Sequence, residues 1–218
     1  MKARRSNATG LSHPDGRWTR AELVRALASV PGFERPDPHL EQVVTPADPA
    51  ADLLAEALAR GDLRGRSVFD LGTGTGRLAI GAALLGAGPV RGIDLSAPAI
   101  ERARESARSL KLEIDFRVGD VAELDSEEGT VLMNPPFGAQ RRHADRPFWR
   151  IALGPGARAV YAFALADSRS FIERRAVERS AQIESVRPVP WSLPATFAHH
   201  QRRAVDLPVD LWILRMSE

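Results

Sequence analysis

Apolar residues recur along this chain with two different periods, and the switches between them lay out its elements. Leu23, Val24, Leu27 and Val30 fall on one face of a helix, because residues three and four apart stack on the same side at 3.6 residues per turn. Thr19 followed by Glu22 is a capping-box signature at its start, and Pro31-Gly32 stops it. Leu53, Leu54, Ala57 and Leu58 give a second helical face, opened by Thr45, Pro46 and Asp48 and closed at Gly61.

From residue 67 the period alternates. Short apolar runs at 67–72, 90–95, 112–118 and 131–134 read as strands, with helical spacing at 77–85 and 98–110 between them. A helix at 147–153, a strand at 159–165, a helix at 168–180 and strands at 183–188 and 205–215 complete the series. This alternation predicts an α/β fold with a doubly wound, mostly parallel sheet. The last two strands are joined by a Pro-rich loop with no crossover helix, which predicts an antiparallel pair at one edge. Residues 1–17 are polar and aperiodic and read as a flexible arm, leaving one domain over 18–218, with leading helices at 18–66 and a Rossmann-like core at 67–218.

Composition narrows the chemistry. The 218 residues are 44% hydrophobic and 27% charged, enough for one sizeable core. With no cysteine and five scattered histidines, neither a disulfide framework nor a metal site is expected. The longest apolar stretch, 78–90, is too short to cross a bilayer, and 1–18 lacks the apolar core of a signal peptide, so a cytoplasmic protein is expected. The net charge of +2 hides an asymmetry: +4 over 1–36, −7 over 37–133 and +5 over 134–218. An acidic middle suits a cationic ligand, and two basic ends suit a polyanion.

The acidic part contains Asp70-Leu71-Gly72-Thr73-Gly74-Thr75-Gly76, which leaves a strand and opens a helix. Open α/β sheets bind ligands there, outside the carboxyl ends of their strands. A dinucleotide fingerprint requires Gly or Ala where Arg77 stands, and a phosphate-cradling P-loop requires a Lys that is absent. Asp70, Asp94 and Asp120 lie at three successive strand ends. Asp94 can accept both hydroxyls of a ribose and Asp120 can meet an adenine amine. Glycines that let the backbone approach, flanked by carboxylates that suit a sulfonium and an amino group, point to S-adenosylmethionine.

A fourth strand runs out into Asn134-Pro135-Pro136-Phe137. The prolines stiffen the exit, so the Asn134 amide oxygen and the Pro135 carbonyl can accept the two N–H groups of an exocyclic amine while Phe137 stacks on its ring. Drawing such an amine toward tetrahedral geometry localises its lone pair for attack on a methyl sulfonium.

These residues resemble a class I S-adenosylmethionine-dependent methyltransferase with an Asn-Pro-Pro-Phe motif. More narrowly, the chain is similar to the archaeal and eukaryotic methyltransferase-like family that makes N6-methyladenosine in small-subunit ribosomal RNA. The likeness rests on the segments 40–46, 70–76, 85–88, 92–94, 133–138 and 205–211. It implies a seven-stranded sheet with an antiparallel last strand, a lid in which Gln42 and Thr45 close over the cofactor, and a glycine loop in which Gly72, Gly74 and Thr75 approach its methionine end. It also implies that a small zinc-containing activator adds a strand at an edge formed by 112–118, where Leu112, Ile114, Phe116 and Val118 alternate with charged residues.

Arg141, Arg142, His143, Arg146 and Arg150 follow the tetrad, and His199, His200, Arg202 and Arg203 lie between the last two strands. Arginines bind phosphates bidentately and stack on unpaired bases, so both clusters read as an RNA surface. The reading is an RNA adenine-N6 methyltransferase. Protein glutamine N5 methylation, DNA adenine-N6 methylation and a non-catalytic RNA-binding assembly module remain as alternatives.

Overall fold

Thr19 starts the first helix as its sequence implies. Its hydroxyl accepts from the Glu22 N–H at 3.3 Å and the Glu22 carboxylate accepts from the Thr19 N–H at 2.9 Å, so α1 (Arg20–Ala28) begins with two orphan donors satisfied. The structure is a computed structural model and describes residues 18–37, 40–126, 128–138, 142–193 and 205–217. After α1 come α2 (Ala47–Ala59), β1 (Val68–Leu71), α3 (Arg77–Leu84), β2 (Val90–Asp94), α4 (Ala97–Ser109), β3 (Asp115–Val118) and β4 (Gly129–Met133). Next are α5 (Arg146–Ala152), β5 (Ala157–Leu165), α6 (Arg169–Glu178), β6 (Ala181–Val189), β7 (Ser192–Leu193), β8 (Val205–Asp206) and β9 (Val209–Met216).

Seven strands form one sheet in the order β3-β2-β1-β4-β5-β9-β6. The first five are parallel, and β9 is antiparallel to both its neighbours. The order reverses between β1 and β4, which opens a crevice outside their carboxyl ends. Leu27, Leu54, Ile80 and Ile100 of α1 to α4 join one buried cluster, and Trp149 and Ile172 of α5 and α6 join another with Val160 and Trp212.

Three expected elements change. The edge strand begins at Asp115, not at residue 112, because the Lys111 and Leu112 N–H groups bond back to Arg108 and Ala107 and finish α4. Leu112 and Ile114 pack against the first cluster from a loop instead. The strand expected at 205–215 is broken at Leu207-Pro208, since proline has no N–H to give a ladder; β8 pairs with β7 in a separate ribbon. Thr45 does not cap α2, whose N-cap is Pro46 with no side-chain hydrogen bond.

At the opposite end of the sheet from the crevice, buried Asp62 accepts from Tyr161 Oη at 2.6 Å and from both Arg215 Nη atoms at 2.8 Å. Burial pushes the Asp62 carboxyl up, but the Arg215 and Tyr161 hydrogen bonds outweigh it and hold its pKa below the ordinary value. The stability this supplies is present above the ordinary carboxyl range and fades as pH falls through the lowered pKa. Arg215→Met removes both charge-assisted bonds and leaves the buried carboxylate only the Arg158 guanidinium at 3.8 Å, and it is expected to cost about 3–5 kcal/mol. Denaturant unfolding at pH 7 measures this, and a loss under about 1 kcal/mol, the range of exposed pairs, would contradict it.

Candidate active site

The carboxyl ends of β1, β2, β3 and β4 open onto a cavity of about 470 Å³, within the usual range for a small-molecule site. Gly72, Gly74 and Gly76 all have positive φ, which turns the chain sharply from β1 into α3. At Gly72 a side chain is excluded twice over, because a Cβ would also lie 2.8 Å from the Phe148 ring. The loop is held from below by Asp70, which accepts from Thr73 Oγ1 at 2.6 Å and from the Ala79 N–H at 2.9 Å. Asp94 accepts from the Gly74 N–H at 2.8 Å and the Ser96 N–H at 2.9 Å, tying β2 to the same loop.

Burial raises the pKa of both carboxyls. Asp70 is pushed up to about 7 by burial, against its bonds from Thr73 and Ala79 and with a further push from Asp94. Asp94 is raised by burial in spite of its two backbone bonds. Asp120 follows β3 and accepts from the Ala122 N–H at 2.8 Å. All three line the cavity, as do Gln42, Thr45, Gly72, Gly74 and Thr75.

The far wall is the exit from β4. Asn134 and Pro136 line the cavity, while Pro135 is buried. Phe137 is not among the lining residues; its ring meets Trp191 edge-on, with centroids 5.8 Å apart. Asn134 Nδ2 donates to Thr45 Oγ1 at 3.0 Å, and Asn134 Oδ1 is buried with no partner among the described residues. A second tie joins the leading segment to this exit, the Gly138 N–H donating to Glu41 at 2.9 Å. Gln42 Oε1 accepts from the Asp37 N–H at 2.8 Å, within the lid itself.

Arg142 is exposed on the cavity rim. Arg146 is exposed and lies 5.6 Å from the centroid of Phe171, which Arg175 flanks at 5.9 Å. Arg141, His199, His200, Arg202 and Arg203 lie outside the described residues. Phe33, Arg77 and Phe148 line the cavity without having been expected there. For Arg77 a signal existed, since a cation follows the glycines inside an acidic stretch; a lone Phe beside Trp149 in α5 reads from sequence as core.

The sequence model described as the methyltransferase small domain matches residues 44–155, the stretch that carries this cavity. The chain belongs to the methyltransferase small-domain family. This methyltransferase is 34% identical to the rRNA N(6)-adenosine-methyltransferase Mettl5 of Drosophila melanogaster, over 88% of its own length and 93% of that protein's. It is 33% identical to the rRNA N(6)-adenosine-methyltransferase of Danio rerio, over 87% and 95% of the two chains. Among solved structures, a candidate RNA methyltransferase of Pyrococcus horikoshii superposes with a TM-score of 0.85 at 35% identity, covering 93% of this chain and all of that one.

The folded chain holds the Asp70 proton more tightly than the unfolded chain does. Its contribution to stability is therefore full below the ordinary carboxyl range and declines as pH rises to about 7. A cation in the cavity favours the ionised form, so binding near pH 6.5 is expected to release a proton and to tighten as the pH climbs through about 7. Calorimetry with S-adenosylhomocysteine in two buffers of different ionisation enthalpy measures both effects. A constant affinity from pH 6 to 8 would show that Asp70 keeps one protonation state on binding and overturn the linkage.

Proposed function

We propose that this methyltransferase transfers a methyl group from S-adenosylmethionine to N6 of adenosine in small-subunit ribosomal RNA. One observation carries the reading: Asn134, at the end of a central strand, lines the cavity, and its Oδ1 is a buried acceptor with no partner among the described residues, which a donor in the cavity would satisfy. The cavity also fits the cofactor. Its glycine loop leaves no room for a Cβ at Gly72, and its buried carboxylates suit a sulfonium and an amino group far better than phosphates. S-adenosylmethionine supplies an electrophilic methyl group on sulfur.

In this reading Asp94 accepts the ribose hydroxyls, Asp120 accepts from the adenine amine, Gly72, Gly74 and Thr75 approach the methionine end, and Gln42 and Thr45 close the lid. Asn134 Oδ1 and the Pro135 carbonyl accept the two N–H groups of the target amine and localise its lone pair, so no strong base is needed. Phe137, braced by Trp191, offers the apolar surface for the target base. Arg142 and Arg146 meet the flanking phosphates, and the stack of Arg146, Phe171 and Arg175 extends that surface with planes on which unpaired bases can lie. The likeness to the fly and fish rRNA methyltransferases supports ribosomal RNA as the substrate, and a ribosomal substrate suits a cytoplasmic protein.

A small zinc-containing activator pairing along β3 belongs to the same reading. Support comes from Val118, half exposed at the end of an edge strand, and the Arg117–Asp115 and Arg91–Asp115 ion pairs protect that edge while it is free. Loss of solubility or activity without a co-expressed partner is expected; full activity of the lone chain would sink the idea.

Asn134→Ala removes the side-chain acceptor and is expected to lower methyl transfer about 10²–10³-fold, with S-adenosylhomocysteine affinity within about threefold of wild type. Labelled methyl donor offered with ribosomal RNA, DNA and protein measures rate and substrate class together. Undiminished transfer by the variant, or transfer to protein alone, refutes the assignment.

A further inference from the structure

At the reacting end of the cavity three polar side chains form a series whose direction is unexplained. Arg77 Nη1 donates to the Thr45 carbonyl at 2.7 Å and Nη2 to the Val30 carbonyl at 2.8 Å, so one guanidinium grips both ends of the lid. Thr45 Oγ1 in turn receives Asn134 Nδ2 at 3.0 Å. Asn134 Oδ1 ends the series as a bare acceptor.

The direction of the series decides what the site can recognise. An asparagine amide turned by half a rotation shows two donors where it had shown an acceptor, and only the acceptor suits an amine. Contact with a hydroxyl does not choose between the two, because a hydroxyl can donate or accept. Thr45 accepts from Asn134 with certainty of direction only when its own proton is engaged elsewhere. Among the described residues nothing takes that proton, and Arg77, a cation with no acceptor, cannot. S-adenosylmethionine carries a carboxylate, which can only accept. Asp94 and Asp120 follow β2 and β3, and Asn134, which touches Thr45, follows β4, so a cofactor whose nucleoside is held by the two aspartates, as proposed above, would have its amino-acid end on the side of Thr45.

We propose that Thr45 is a positioning residue that makes amine recognition depend on the bound cofactor. Its hydroxyl gives its proton to the cofactor carboxylate, its oxygen accepts from Asn134 Nδ2, and Asn134 Oδ1 is thereby turned toward the target amine. Arg77 holds the Thr45 backbone where both bonds can form. The inference rests on the cofactor and amine clamp proposed above, and it explains why the Thr45 hydroxyl is withdrawn from the start of α2. The coupling is reciprocal, so an amine on Oδ1 also tightens the cofactor.

The side-chain amide signals of Asn134 in the full-length ¹⁵N-labelled protein, assigned by their loss in Asn134→Asp, read the relay directly. S-adenosylhomocysteine is expected to slow exchange of these protons about tenfold more than 5′-methylthioadenosine, which lacks the amino-acid end. Thr45→Val should erase that difference and Thr45→Ser should keep it. With saturating methyl donor and unmodified small-subunit ribosomal RNA, Thr45→Val is expected to lower kcat about tenfold at nearly constant RNA KM, and Thr45→Ser to restore it. Equal protection by the two ligands, or a difference that survives in Thr45→Val, overturns the relay. Failure of S-adenosylhomocysteine to bind the wild type overturns the cofactor reading and the relay with it. Protection of Asn134 without methylation of RNA overturns the substrate reading alone and leaves the relay standing.

Discussion

The hydrogen bond between Asn134 and Thr45 joins groups 89 residues apart, and together with the ties beside it this seam sets the geometry of the cavity. On one side lies the rigid exit of β4, where two prolines leave the backbone little freedom. On the other lies the leading segment, which contributes no strand to the sheet and is otherwise attached through α1, α2 and the Glu34–Arg102 ion pair. The Glu41 bond to Gly138 and the Arg77 grip on Thr45 and Val30 close the same seam. A wall of the cavity is therefore built from chain that precedes the core, and loosening the seam would open the site without disturbing the sheet.

Charge is distributed with similar economy. Asp70 and Asp94, which line the cavity, are bonded to backbone N–H groups or to a hydroxyl, so their positions are fixed while loss of solvent opposes their ionisation. The carboxylate that holds the far end of the sheet has its cation in contact, and Arg215 keeps it charged. Asp62 and Asp70 are both almost wholly buried. Their opposite pKa displacements follow from whether an arginine is in reach, which separates a structural carboxylate from one suited to a cationic ligand.

Local signals were legible where one residue type has one physical use. The capping box at Thr19 and Glu22, the glycine turn after Asp70 and the proline-stiffened exit at Asn134 each act over a few residues, and each was readable from spacing. Thr45 was not: before Pro46 and Asp48 it has every mark of a helix cap, and only the fold reveals that Asn134 claims its hydroxyl. The short β3 was misread because 112–118 alternates as a strand should, while the first three residues serve the end of α4 and the core. Phe33 and Phe148 were invisible for a different reason. An aromatic ring on a helix or loop looks the same in sequence whether it fills a core or faces a cavity.

The place of β9 in the sheet bears on how the protein comes into being. It is inserted between β5 and β6, and it brings Trp212 to one buried cluster, Ile213 to the other and Arg215 to Asp62. Since β9 follows β6 in the sequence, during synthesis β5 and β6 leave the ribosome with the strand that belongs between them still to come. Domains fold as units as they emerge, but here the sheet lacks its penultimate strand until β9 has emerged. A nascent chain arrested short of β9 has every residue that lines the cavity, but its Asp62 lacks Arg215 and its two buried clusters lack Trp212 and Ile213.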